Sequence, residues 1–437
     1  MSTAEIHPEA QLAKSTPLTR NQVRGFWASW GGWALDGMDS FIYALVLVPS
    51  LRELLPRSGI AATKGNIGYY GGLLFALFLC GWGLAFLWGP VGDKFGRVRT
   101  LMITIVWYSV FTFLSALVTN VWQLAALRLL AGIGIGGEWA MGGTFVAEEW
   151  PENRRRAGAG YMHTGYWVGV FLAALANYSI GSRFGWRTMY AIGGLPAVLL
   201  AWVRHGVAEP ACWRQKEGMV RSWKIWQPFA TLFSSPLRRR TILNSLYMLT
   251  SVSGLWAGTV YVPAAVTTLA EAASRAGPQA EQLASRATML VAFATTLGCL
   301  AMPWLAEKLG RRGALGLFFT LMLAFTALTF GKVFYLGAGA LPWFFVCLFF
   351  LGFGGANFAV YTLWLPEQYP TECRASAFAF STSFARFGGA GIAFLVGAGV
   401  QHYGSLGIPV ALTAIAFAVG LVLIPFGTET RGQTLPA

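Results

Sequence analysis

Residues 89–97 read Gly-Pro-Val-Gly-Asp-Lys-Phe-Gly-Arg, and the later part of that motif returns 214 positions on as Ala306-Glu307-Lys308-Leu309-Gly310-Arg311. A second set repeats at nearly the same interval: Glu148, Pro151 and Arg155 correspond to Glu367, Pro370 and Arg374, 219 positions later. Each copy follows a long apolar run. Two motifs recurring at about half the chain length, after equivalent apolar segments, imply a duplicated unit built from membrane-length helices.

Composition agrees. Of 437 residues, 55% are hydrophobic and only 11% charged, against roughly 25% charged in an ordinary soluble domain. Such a chain cannot cover its surface with charge, so most of that surface faces a lipid bilayer. About 20 apolar residues cross a hydrocarbon core of roughly 30 Å. A window of that length finds twelve spans, near 25–51, 66–91, 100–119, 121–147, 157–180, 186–204, 241–268, 287–305, 313–331, 337–363, 376–401 and 406–426. The expected fold is an all-α integral membrane protein with twelve transmembrane helices in two pseudo-symmetric six-helix bundles. Residues 1–24 are an N-terminal tail, 25–204 the first bundle, 205–240 a polar linker, 241–427 the second bundle and 428–437 a C-terminal tail.

Charge sets the orientation. With twelve spans both termini share a side; 22 of the 32 Lys and Arg fall there and 8 on the other, while Arg128 and Arg386 lie within spans. The positive-inside rule then places both termini and the linker in the cytoplasm, across a bacterial-type inner membrane. The net charge of +14 is in part topology, and no nucleic-acid partner is indicated. Cys80, Cys212, Cys299, Cys347 and Cys373 are scattered, with neither a disulfide framework nor a zinc spacing. His7, His163, His205 and His402 lie far apart, so no metal and no other cofactor is expected. The first 25 residues carry no secretory leader pattern.

Charges inside a span are costly and mark functional candidates. At 1.5 Å per residue, Asp36 lies roughly 16 Å and Asp39 roughly 21 Å along span 1, and Arg128 roughly 9 Å in from the opposite face. Asp39 and Arg128 therefore share a level and form the preferred ion pair. Arg386, roughly 18 Å deep, offers a fork of donors suited to a carboxylate; a permanent pair with Asp36 or Glu138 is the alternative. Three acids (Asp36, Asp39, Glu138) against two arginines leave one excess negative charge, and a bound monoanion makes it two. Protonating an acid relieves this, so anion entry recruits a proton. Asp36, Asp39, Arg128 and Glu138 are the candidate proton-coupling residues, with His163 either sharing the proton or simply hydrogen-bonded. Arg386, Asn244, Tyr247, Asn357 and Tyr361 are the candidate substrate-binding residues. The nineteen tryptophans are mostly assigned to packing and to the membrane interface.

The loop motifs supply candidate gates: Asp93, Arg97, Glu148 and Arg155 in the first half, Glu307, Arg311, Glu367 and Arg374 in the second. Such contacts form in one tilt of the bundles and break in the other; charges that only set topology are the alternative. Gly132, Gly134 and Gly137 spell GxGxxG, yet no strand precedes them. Gly132 and Gly136, four apart, instead fit close helix packing in lipid.

These motifs resemble the major facilitator superfamily over nearly the whole chain. The 89–97 loop is similar to its signature between spans 2 and 3, and Glu429-Thr430-Arg431-Gly432-Gln433-Thr434-Leu435 to the sugar-porter tail. Leu35-Asp36-Gly37-Met38-Asp39, and Arg128 followed by Gly132-Ile133-Gly134-Ile135-Gly136-Gly137-Glu138, resemble the sialate:proton and aromatic-acid:proton symporters. Glu209-Pro210-Ala211-Cys212-Trp213 resembles the sialate group. Neither the two extra spans of many sialate porters nor the His/Gln/Asp stretch in span 7 of lactate-type porters is found. The resemblance implies a secondary transporter, not an enzyme. Its expected work is proton-coupled symport of a small-molecule carboxylate (sialate, sugar acid, aromatic acid or short monocarboxylate) by a monomer using alternating access, with Asp39–Arg128 as coupling pair. A neutral sugar or polyol symporter would leave Arg386 without a partner, and a non-transporting nutrient sensor differs only in flux. A proton-antiport drug exporter would carry a Gly-Pro pair in span 5, which is absent.

Overall fold

The computed structural model describes residues 17–194, 208–209, 213–215, 218, 226–256, 259–275 and 277–436. The end of span 6, most of the linker, His7, His205 and Cys212 lie outside the described residues. Among the described residues the chain is helical and forms no strand. Among the described residues, eight stretches are long and apolar enough to cross a membrane: Arg20–Arg57, Lys64–Phe95, Arg97–Leu117, Val121–Glu149, Pro278–Tyr335, Ala340–Gln368, Arg374–Tyr403 and Gly407–Phe426. Pro278–Tyr335 holds two spans, because Gly310 turns the chain at φ 75°, ψ 171°. Two spans come in pieces, and span 6 is described only at its start. Span 5 is Glu152–Ala176 continued by the wide turn Asn177–Gly181, and span 6 begins with Trp186–Gly194. Span 7 is Ser235–Ser251, the wide turn Val252–Trp256 and Val262–Ala272. The result is the twelve-span fold.

Helices outrun the apolar windows because polar caps end them. Thr19 and Gln22 form a capping box, Gln22 N–H to Thr19 Oγ1 at 3.3 Å and Thr19 N–H to Gln22 Oε1 at 2.9 Å, so span 1 starts five residues before its apolar window. Asn120 caps span 4 through Gln123 N–H. Span 3 begins after Gly96, whose φ of 111° admits glycine readily. The repeated glycine of the charged motif is thus the same sharp corner in both halves.

Spans 1 and 5 pack backbone to backbone. A Cβ on Gly169 would sit 1.7 Å from the carbonyl oxygen of Ala34. Spans 2 and 4 meet likewise, since a Cβ on Gly132 would lie 2.3 Å from Phe78 O; small residues at helix crossings are what close packing in lipid requires. Spans 2 and 11 join the halves where Gly72 faces Gly397.

Gly169→Val should therefore force spans 1 and 5 apart at a cost of about 1–3 kcal/mol. It should lower the midpoint of thermal unfolding in detergent, whereas Gly316→Ala, where a Cβ meets open space, should leave it unchanged or raise it.

Candidate functional site

On the face that carries the repeated motif, each corner glycine is followed by a helix whose first N–H groups need acceptors. Glu209 accepts from the backbone N–H groups of Arg97 (2.7 Å), Val98 (3.0 Å) and Arg99 (3.3 Å). Glu429 accepts from those of Arg311 (3.0 Å) and Arg312 (3.2 Å). A Cβ on Gly96 would lie 2.3 Å from Glu209 Oε1, and one on Gly310 2.5 Å from Glu429 Oε2. Glycine is needed at both corners for the positive φ and for the carboxylate's approach. Burial of Glu209 raises its carboxyl above the ordinary range, against the opposing pull of the three N–H donors.

The gate candidates meet on this face. Asp93 Oδ1 lies 3.1 Å from Arg97 Nη2, while Oδ2 accepts from Ser376 N–H at 3.0 Å and Ser376 Oγ at 2.5 Å. Asp93 thus sits on the first turn of span 11, across the boundary between halves, where the helix dipole favours an anion. Glu148 Oε1 lies 3.4 Å from both Arg97 Nη2 and Arg374 Nη1 and so bridges the halves again. Within the second half, Arg311 and Glu367 form a two-pronged pair at 2.7 and 3.0 Å. Glu307 pairs with Arg156 at the start of span 5. Arg155 donates Nε–H to Ala147 O at 3.1 Å. Ser376, Glu209 and Glu429 are the members the charge pattern did not single out. The interval of 220 between the two glutamates, each behind its half, was a usable signal.

Deep in the first half, Arg128 Nη1 lies 3.7 Å from Asp39 Oδ1, and both residues are fully buried. Thr112 donates to Asp39 Oδ1 at 2.5 Å. Arg128 Nη2 donates to Ser115 Oγ at 2.9 Å and Thr112 Oγ1 at 3.3 Å, and its guanidinium lies 4.9 Å from the centre of the Tyr190 ring. The ion pair is longer than a tight charge-assisted hydrogen bond of about 2.7–2.9 Å, and Arg128 keeps hydroxyl and aromatic partners besides it. Asp36 and Glu138 are fully buried on spans 1 and 4.

Between the halves lies a closed chamber. Trp33, Trp82, Trp139, Trp167, His163 and Tyr166 come from the first half, and Leu255, Trp256, Phe358 and Arg386 from the second. Its free space is about 10 Å³, room for about one water. The Arg386 guanidinium rests 3.8 Å from the centre of the Trp82 ring and 5.9 Å from that of Trp139, and its Nη1–H points to Thr382 O. Arg386 Nε and Nη2 are buried and have no hydrogen-bond partner among the described residues. Trp139 Nε1–H donates to Thr362 Oγ1 at 2.9 Å, and that hydroxyl lies 3.4 Å from His163 Nδ1.

The other binding candidates do not border this chamber. Asn244 Nδ2–H reaches Tyr369 OH (3.0 Å) and Gln368 Oε1 (3.3 Å). Tyr247 OH donates to Leu423 O (2.8 Å) and its ring stacks on Trp364. Tyr361 OH donates to Tyr247 O (2.9 Å), and Asn357 Nδ2–H to Gly354 O (2.9 Å). They join spans 7, 10 and 12 within the second half. The five tryptophans of the chamber are what the sequence reading passed over. Trp33, Trp139 and Trp167 stand near Asp36, Glu138 and His163 rather than at span ends, where an interfacial belt places them.

Asp93→Ala removes a charge-assisted contact between the halves, worth about 1.5–3 kcal/mol. A cysteine at buried Ser381, in a chain otherwise free of cysteine, should then react with a maleimide from the motif face roughly tenfold faster; an unchanged rate would count against a gate at Asp93.

The Major Facilitator Superfamily model matches residues 30–277, and the Sugar (and other) transporter model residues 214–437. A "Probable 4-methylmuconolactone transporter" of Cupriavidus pinatubonensis is 28% identical over 94% of this chain and 91% of its own length. The sialic acid transporter NanX of Escherichia coli is 24% identical over 92% of this chain and 93% of its own length. Among solved structures, the proton:xylose symporter XylE bound to 6-bromo-6-deoxy-D-glucose superposes with a TM-score of 0.75 at 17% identity, covering 95% of this chain and 98% of that one, a likeness of fold. With the duplicated charged corner, the twelve spans and the chamber between the halves, these matches establish that the chain belongs to the major facilitator superfamily and is a multi-pass membrane transporter of small metabolites.

Proposed function

We propose that this transporter carries an organic acid anion together with a proton, by alternating access, as a monomer in a bacterial inner membrane with both termini and the motif face in the cytoplasm. The observation that carries the reading is Arg386: a fully buried guanidinium in the chamber between the halves, with two nitrogens left without a hydrogen-bond partner among the described residues. A buried cation in that condition is costly unless an anion completes it. A substrate carboxylate supplies two acceptors in the plane of the fork.

Asp39 is the proton carrier in this reading. If Asp39 takes a proton, Arg128 keeps Ser115, Thr112 and the Tyr190 face, so the change of charge does not orphan a cation. Asp36 and Glu138 remain the next acids in line. The contacts of Asp93, Glu148, Arg97 and Arg374 close the cytoplasmic side, and their release opens the chamber there. Arg311, Glu367, Glu307 and Arg155 hold the surrounding elements in register.

Reconstituted protein should accumulate a carboxylate when an inward proton gradient is imposed, and Asp39→Asn should abolish accumulation while exchange of internal for external substrate persists. Accumulation by Asp39→Asn equal to the parent would move the proton elsewhere. Arg386→Lys keeps the charge but loses the fork and should bind the acid more weakly. Arg386→Ala should bind it weaker still, by tens- to thousands-fold, the equivalent of about 2–5 kcal/mol, in calorimetry on the purified protein. An acid that binds Arg386→Ala as tightly as the parent would exclude the chamber as the anion site.

A further inference from the structure

We infer that the cargo is a planar aromatic carboxylate, rather than a sugar acid, a polyol or a saturated acid; this deepens the organic-anion reading and rests on it. Two features of the chamber carry the assignment: which hydrogen-bonding groups its walls present, and the shape already occupying its face.

None of the side chains lining the chamber among the described residues is Asp, Glu, Asn or Gln. Of the polar groups left over, Arg386 Nε and Nη2 and the indole N–H groups of Trp33 and Trp167 are donors only, and the single Tyr166 hydroxyl can also accept; all are buried and without a hydrogen-bond partner among the described residues. His163 adds to the set in the tautomer where Nδ1 accepts from Thr362 and the ring proton sits on Nε2. A carboxylate offers only acceptors, so a wall of donors completes it. A sugar acid brings several hydroxyls, each of which is also a donor and needs an acceptor. Every hydroxyl buried without one weakens binding roughly tenfold.

The apolar remainder of the cargo must then match the rest of the wall, which is aromatic. The Arg386 guanidinium lies over the Trp82 ring, 3.8 Å from its centre. Trp256 stands edge-on to Trp82 at 5.3 Å and to Tyr166 at 5.7 Å between ring centres. Trp33 and Trp139 stack at 5.4 Å with 19° between planes. With about 10 Å³ free, an entering molecule takes the place of side chains instead of filling a void. A flat ring is the shape that can replace a guanidinium on an indole face, while the displaced guanidinium turns to the carboxylate. Stacking of that kind adds roughly two- to tenfold in affinity per ring pair beyond simple burial.

The test is calorimetry on the purified full-length chain with six probes: benzoate, cyclohexanecarboxylate, benzamide, glucuronate, N-acetylneuraminate and xylose. Benzoate is expected to bind at least tenfold tighter than cyclohexanecarboxylate, which differs only in lacking the aromatic plane, and tenfold tighter than either sugar acid; benzamide should not compete. Trp256→Leu should bring the benzoate-to-cyclohexanecarboxylate ratio towards one, and Trp256→Phe should preserve it, a ratio that a general loss of folded protein does not move. Tighter binding of glucuronate or N-acetylneuraminate, equal binding of the two ring acids, or binding of none of the six overturns the aromatic assignment, and gradient-driven uptake of a carboxylate still decides the anion reading on its own. Binding of xylose without any acid overturns both.

Discussion

A carboxylate set against the first turn of a helix is the contact on which the motif face is built. Helix ends near a bilayer leave N–H groups that neither lipid nor a neighbouring helix can satisfy. Glu209 and Glu429 meet that need inside each half, and the corner glycines Gly96 and Gly310 leave the space for them. Asp93 makes the same kind of contact, but its helix belongs to the other half. One interaction thus appears twice within a half, where it ties that half together, and once across the boundary between halves. The internal contacts give each bundle a rigid end against which the cross-half contact can be made or released.

Most of the fold was legible in the hydropathy windows, because a span must be apolar over a fixed length. The windows misplaced the start of span 1 by five residues, where Thr19 caps the helix outside the apolar stretch, and met the start of span 4 at Val121, which Asn120 caps. They could not see that span 7 is interrupted at Val252–Trp256, since a wide turn changes hydrogen-bond register without changing composition. Depth counting brought Asp39 and Arg128 together because both lie on single helices with a known rise. It said nothing of Thr112, Ser115 and Tyr190, which reach the pair from spans 3 and 6 through the packing. Asn244 and Tyr247 were chosen as polar residues in an apolar span, a criterion that cannot separate a side chain facing a cavity from one bonded to a neighbouring helix. The tryptophans failed for the opposite reason: an aromatic residue suits core, interface and binding wall alike.

The two halves share a scaffold and differ in what they bury. Spans 1 and 4 of the first carry Asp36, Asp39, Arg128 and Glu138, whereas among the described residues Arg386 is the buried charge of the second half's spans away from the motif face. In the proposed cycle the proton and the anion are therefore held by different bundles, and the tryptophans of the first half meet Arg386 across the boundary. In that cycle the Arg386 guanidinium, 3.8 Å from the centre of the Trp82 ring, is a contact through which a change in one half meets the other.

The small free volume of the chamber has an electrical consequence. A proton crosses a protein by hopping along a chain of groups that accept as well as donate, and the chamber has space for about one water among walls whose leftover groups are donors, save the single hydroxyl of Tyr166. Such a wall repels a hydronium ion and breaks a water wire. In the proposed cycle the closed protein without cargo is therefore an insulator, and the potential that drives transport does not drain through it.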